Sequence, residues 1–425
     1  METTDGITRR HFVGICGKTA LTLPLLAGAG FPAGCADGSS RLRKRHRYEK
    51  LLLKNGAVYQ DGGYRPVDVA IEGGVITGLG PGIDPDGRAE SKVVDCSGLF
   101  ISPGWVDVHC HIGGIGVDPG LLGPEMGVTA LVDAGTYGAA NFQAFRDRYA
   151  VPSPIPVYSF LNVRNNGIRF SHILFNSLPA LEDLPEAMRL ARDNPDIIKG
   201  FKVRLDSLSA ADDFQTHLSA MTARLSGESE LPVMYHLGKP SPVITDFLKH
   251  SRPGDIITHF LRNRTNCIFN DSGTLRPEAT AAKAKGVLYD IGHGVGSFEF
   301  DTAKKALDQG FSDFTISSDL WFLPSLFKCR TFANVASKFL ALGLSLEDVT
   351  EKISVKPRNL LKIESGIGVN KAVDLTVFAL ADGDFTYYDT AGKTLPGHRR
   401  IIPEYAVVKG DLIRAGDRDR RLFIS

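Results

Sequence analysis

Phe100-Ile101-Ser102-Pro103-Gly104-Trp105-Val106-Asp107-Val108-His109-Cys110-His111 holds an almost unbroken apolar run, Phe100–Val108, that leads into two histidines. A run of this kind suits a strand covered on both faces rather than one with a wet side. Similar runs recur downstream at Gly127–Ala134, Pro156–Val163, Ile197–Leu205, Pro232–Leu237, Asp255–His259, Gly286–Ile291 and Phe314–Ser318. Segments with helical punctuation lie between them. Asp183 precedes Leu184-Pro185-Glu186-Ala187 as an N-cap with proline near the start, Asp301 opens a helix that stops at Gly310, and Ser345 with Asp348 forms a capping box. Eight alternating strand–helix units with buried parallel strands predict a (β/α)8 barrel over residues 100–361.

The flanks have a different pattern. Leu51–Ile83 alternates apolar and polar residues around Asp61-Gly62-Gly63 and Glu72-Gly73-Gly74, and Ala372–Ile424 does the same, most clearly at Asp374-Leu375-Thr376-Val377-Phe378. These arms, 51–99 and 362–425, are expected to pair into one small β-sandwich built from both chain ends.

The composition is that of a folded globular chain. Its 425 residues are 43% hydrophobic and 23% charged, with 49 Lys and Arg against 48 Asp and Glu. A net charge of +1 gives no field that would draw nucleic acid or an anionic membrane. The six cysteines are scattered with no CxxC pair, which argues against a disulfide scaffold or a cysteine-rich zinc site.

Residues 1–35 read as an export address. Thr8-Arg9-Arg10-His11-Phe12-Val13 leads into a mildly apolar stretch broken by Gly17, Lys18 and Pro24, too polar to span a bilayer and similar to a twin-arginine signal. The mature protein is therefore expected outside the cytoplasm, in the periplasm or its equivalent. Cleavage could follow Ala27-Gly28-Ala29; Pro32-Ala33-Gly34-Cys35 offers the alternative of a lipid anchor on Cys35, although Pro32 stands where leucine is usual. Removing the segment takes away three basic and two acidic residues and leaves a neutral chain. Residues 36–50, with Arg41-Leu42-Arg43-Lys44-Arg45-His46-Arg47, read as a solvated basic linker.

In an extended segment, residues i and i+2 point the same way, so His109 and His111 can aim at one metal ion. Cys110 then points the opposite way, as packing. One such pair is weak evidence. Later strand ends, however, add Lys202 and Arg204, His236, His259 and Asp319. All lie at the C-terminal ends of their strands, the face on which barrel active sites form. Lys199, at an odd offset from Lys202, should face the helix layer instead. His293 follows strand seven, where it could orient substrate, stabilise the tetrahedral intermediate or simply cap a turn. Arg204 shares the face of Lys202 and could grip a carboxylate bidentately or close an ion pair. Asn162 could reach substrate, and Asp133 is expected to brace the loop of strand two or a ligand histidine.

With these residues in place the chain resembles the amidohydrolase superfamily, in its dihydroorotase-like branch of binuclear amidohydrolases and deacetylases. The likeness rests on Val106–His111, Gly200–Arg204, Tyr235–Gly238, Thr258–Phe260, Asp290–Gly294 and Ser317–Leu320, and spans most of residues 51–410. It implies that His109 and His111 hold the more buried of two divalent ions, zinc by preference. It implies too that His236 and His259 hold the second ion, and that Lys202 bridges both as a carbamate formed with carbon dioxide. Asp319 would bind the first ion and shuttle the proton. A hydroxide between the ions would attack an amide or ester of a small carboxylate-bearing molecule such as an N-acyl amino acid. Related enzymes that use a cysteine ligand are not matched, since no cysteine stands at the corresponding strand end. After His259 the family often has an aromatic residue and Asn-Gly; here Phe260-Leu261-Arg262-Asn263-Arg264 follows, so substrate identity does not carry over. The rivals are a cyclic amidase of the dihydroorotase or hydantoinase type, and a metal-free barrel that only binds. Barrels of this kind often pair, which leaves a homo-oligomer open; no nucleic-acid partner and no membrane span are expected.

Overall fold

In this computed structural model the described residues are 46–84, 91–114, 116, 118–168, 183–204, 224–225, 227–238, 244–262, 266–321 and 329–415. The export signal, Cys35, most of the basic linker, and Asn263 and Arg264 lie outside them.

The amino-terminal arm supplies β1 (His46–Arg47), β2 (Lys50–Gln60), β3 (Gly63–Glu72), β4 (Val75–Gly80), β5 (Ser91–Asp95) and β6 (Phe100–Pro103). Seven parallel strands follow: β7 (Trp105–Cys110), β8 (Val128–Asp133), β9 (Val157–Asn162), β10 (Ile198–Arg204), β11 (Val233–His236), β12 (Ile256–Thr258) and β13 (Leu288–Asp290). They pair in chain order as one curled sheet. The eighth position is taken by Thr315–Leu320. It closes the ring through isolated parallel bridges, Thr315 to Asp290 on one side and Leu320 to Cys110 on the other. The eighth apolar run thus completes the (β/α)8 barrel without becoming a regular strand.

The carboxyl-terminal arm adds β14 (Leu375–Tyr388), β15 (Thr394–Val408) and β16 (Asp411–Arg414). A separate mixed sheet runs β1-β16-β15-β14-β6-β2-β3-β4, with β5 beside β2. Its core, including Leu51, Leu53, Val58, Ile101, Leu375, Val377 and Val407, draws on both ends of the chain.

Two expected boundaries shift. The Phe100–Val108 run is two strands, because the chain leaves the outer sheet at Gly104. Gly104 N donates to Asp374 O at 2.6 Å and Trp105 N donates to Thr376 Oγ1 at 3.0 Å. The barrel therefore begins at Trp105 rather than Phe100. His46 and Arg47, assigned to the linker, form β1 against Leu412 and Asp411, and Lys50 already belongs to β2. Asp183 and Ser345 cap their helices as expected, whereas the helix Phe300–Asp308 is capped at Glu299 and carries Asp301 in its first turn, where a negative charge suits the helix dipole. No helix among the described residues is long and apolar enough to cross a membrane.

Arg358 ties the two layers together. Its guanidinium donates to Gly104 O at 2.8 Å, Glu364 O at 2.8 Å and Thr129 Oγ1 at 3.0 Å, and lies 3.8 Å from the Asp374 carboxylate. Burial pushes the Arg358 pKa down and that of Asp374 up, so each needs the other's charge. Arg358→Leu is expected to lower stability by about 3–5 kcal/mol, the usual effect of breaking a buried pair, read by urea unfolding. A loss under about 1 kcal/mol would show that the pair is of the weak surface type.

Candidate metal centre

The inner ends of the strands bring six of the expected side chains to one mouth. His109, His259 and Asp319 offer ligand atoms that all lie within 4.8 Å of one another, and all three are buried. Asp319 Oδ1 is 3.2 Å from His111 Nε2 and 3.5 Å from His109 Nε2. Lys202, 1% exposed, places Nζ 3.4 Å from His109 Nε2 and 3.2 Å from Met234 Sδ. The His236 ring packs on that of His259, with centroids 4.3 Å apart. Lys199 stays outside, with its ammonium on Pro195 O at 2.7 Å and over the Tyr158 ring.

Three imidazoles are held by an outer acceptor at Nδ1. His109 Nδ1 meets Asp290 Oδ2 at 3.1 Å and Thr258 Oγ1 at 3.0 Å, His111 Nδ1 meets Thr136 Oγ1 at 2.8 Å, and His259 Nδ1 meets Gly292 O at 2.7 Å. Such contacts keep the proton on Nδ1 and leave the Nε2 lone pair facing inward. His259 Nε2 is buried and has no hydrogen-bond partner among the described residues. A buried nitrogen in that state is costly unless something electron-poor occupies the space in front of it. The donor set therefore fits divalent ions of the zinc type.

The electrostatics agree. Burial lowers the Lys202 ammonium to about 7, so a neutral amine is available near neutrality. Burial, reinforced by Lys202, lowers the His109 pKa; burial and neighbouring positive groups push His236 and His259 well below the usual range. For Asp319 burial favours the acid form, but the imidazoles of His109, His111 and His259 outweigh it and hold the carboxyl well below its ordinary value.

Strain marks the same residues. His259 and Asp319 have φ of +71° and +48°, a left-handed conformation uncommon outside glycine. Asp319 is held there by Asp319 N donating to His109 O at 2.6 Å, and by Ser318, whose N and hydroxyl both donate to the Asp107 carboxylate. Gly292 and Gly294 have φ of +47° and +49° and pass close beneath the cluster. A Cβ on Gly292 would sit 2.6 Å from His259 Nδ1, and one on Gly294 would run into the Asp319 carboxylate.

The weaker candidates fall into place unevenly. Arg204 closes β10 beside His236 and is partly exposed at the mouth. Asn162 spends its amide on the chain, donating to Gly135 O at 2.8 Å and accepting from Arg164 N at 2.9 Å. Asp133 accepts from Ile112 N, Gly135 N and Thr136 N, and so braces the loop carrying the hydroxyl that meets His111. Cys110 packs with Sγ against Val132 O. His293 is fully buried, and both ring nitrogens are engaged by the protein. Sequence reasoning missed Thr136, Thr258, Asp290 and Asp107 with Ser318. Of these, Asp107, Thr258, Asp290 and Ser318 lay inside quoted motifs, and only Thr136 lay outside them.

Fold and side chains together define a class: barrel hydrolases whose mouth is built to hold metal ions. No protein-family model matches the chain. It is 32% identical over 410 residues to a deacetylase of Agrobacterium fabrum, covering 94% of this chain and 93% of the relative. To a deacetylase of Brucella anthropi it is 31% identical over 353 residues, covering 80% and 86%. Among solved structures it is similar to a dihydroorotase at a TM-score of 0.75 and 29% identity, covering 87% of this chain and 98% of that one. It is also similar to an adenine deaminase at 0.76 and 27%, covering 86% and 99%. The chain belongs to the amidohydrolase superfamily, and as an enzyme it acts on carbon–nitrogen bonds.

Proposed function

We propose that the chain is a binuclear amidohydrolase that releases the acyl group of a small carboxylate-bearing amide, with N-acyl amino acids as the leading substrate class and acylated hydroxy acids beside them. The observation that carries this is the partnerless His259 Nε2, set among lone pairs of the same kind from His109 and His111. In this reading His109, His111 and Asp319 would hold one ion and His236 and His259 the other, with Lys202, as its carbamate, supplying a further anionic ligand. Bound ions supply an activated water and polarise the scissile carbonyl. Asp319, ionised and fixed in place, takes the proton and returns it to the leaving nitrogen. Arg204, at the rim beside His236, receives the substrate carboxylate. Names of the relatives support acyl release over ring opening, and the likeness of Thr8–Val13 to a twin-arginine signal supports an activity outside the cytoplasm.

The test is turnover of a panel before and after chelation. N-acetyl amino acids, acetylated hydroxy acids, a hydantoin, a dihydropyrimidine and a 6-aminopurine are offered to the mature chain. Acetate release that disappears on chelation and returns with zinc and bicarbonate is the expected result. Ring opening alone would move the assignment to a cyclic amidase, and metal-independent turnover would overturn it.

A further inference from the structure

The helix Phe332–Ala341 is capped by Thr331, whose Oγ1 accepts from Asn334 N at 3.1 Å, and it is buried over most of its length. Lys338 lies on it with 0% exposure. A lysine is seldom buried unless its donors find acceptors. Here Nζ donates to His293 Nε2 at 2.7 Å. Gly294 O can only accept, so the ring proton sits on Nδ1, 3.0 Å from it, and Nε2 is the acceptor towards Lys338. The ring is also stacked on Phe298, with centroids 4.8 Å apart and planes 26° from parallel. Both ring nitrogens are thus engaged within the protein.

What His293 can do is hold the chain on either side of it. Its own N and Gly294 N donate to Ser317 O at 3.2 Å and Ser318 O at 3.0 Å, immediately before Asp319. Gly292 O accepts the His259 Nδ1 proton, and there is no room between segment 292–294 and the two cluster residues for even a methyl group. A shift of that segment is therefore transmitted to His259 and Asp319.

We infer that Lys338 and His293 form a positioning pair that pins segment 292–294 from behind. The pair keeps the Gly292 carbonyl on His259 and so keeps the His259 Nε2 lone pair available to the ion shared with His236. This rests on the metal-centre reading above. Neither residue touches the reacting atoms. The substitution that exposes the role is Lys338→Met, which keeps length and apolar stem but removes the donor.

The experiment is titration of metal-free wild type and Lys338→Met with cobalt(II), followed by calorimetry and by visible absorption, with circular dichroism as the check on folding. Wild type is expected to bind two ions. The variant should bind the first as wild type does and the second about 10–100-fold more weakly, the usual effect of losing a group that supports a ligand histidine. If Lys338→Met does not fold, the double variant Lys338→Met/His293→Phe replaces both partners by apolar groups, the change that costs a buried pair least, and is read the same way. Two ions bound with wild-type affinity in a folded variant overturns the pair's role and leaves the metal centre standing. No cobalt in the wild type overturns the metal centre and this inference together.

Discussion

Lys202→Ala is expected to reduce the metal content from near two ions per chain to one or fewer, and turnover by roughly 10³-fold or more, the several kcal/mol that a paired-ion centre contributes. Lys202 is fully buried and lies between His109 and Met234, where a permanent ammonium would oppose any cation. Burial brings its pKa down to about 7, so near neutral pH a large fraction is free amine, the form that reacts with carbon dioxide. Alanine leaves the imidazoles and Asp319 in place but removes the anion that would join the ions. Plasma mass spectrometry on the mature chain, with kinetics alongside, reads both effects. Addition of metal and bicarbonate should not restore the variant. Two ions and full turnover in Lys202→Ala would sink the bridging role.

The second large effect is at Asp319. Asp319→Asn should lose about 10²–10⁴-fold in kcat, the range for a positioned proton-transfer group, with an unchanged circular dichroism spectrum. Asparagine is the informative choice because the residue sits at φ +48°, a conformation asparagine tolerates and alanine resists. The amide keeps the shape and the backbone bond to His109 O while removing the charge held between His109 and His111. Turnover within a factor of two of wild type would move the proton transfer elsewhere.

Most of the barrel was legible because its strands are apolar along their whole length and end in polar residues of kinds that seldom coincide. Trp105–His111 and Ser317–Leu320 lie at opposite ends of the barrel sequence, yet each announces itself locally. Pro103-Gly104 carries a break signal, because proline cannot donate to a ladder, but only the bonds to Asp374 and Thr376 show that the two halves belong to different sheets. His46 and Arg47 form a strand by pairing with a distant edge, and two basic residues carry no alternation to reveal it. The supports of the histidines were hidden for the same reason. Thr136, Asp290 and Lys338 are ordinary residues in sequence, and their roles exist only through contacts the fold creates.

The outer sheet has a consequence for how the chain is made. β1 pairs with β16, and β6 with β14, so the first strands to emerge from a ribosome wait for the last. Loop-closure entropy makes such distant pairings slow and late. The barrel strands, each next to its sequence neighbour, can assemble while synthesis continues. Leu51, Leu53 and Val58 of β2 share a core with Val69, Ile71 and Ile101 nearby in the chain, but the rest of that core, Leu375, Val377, Val407 and Leu412, is missing until residues near 375–412 arrive. During that interval the nascent chain carries its chief aggregation hazard, and a truncation that spares every residue of the metal centre but removes β14–β16 should precipitate rather than fold.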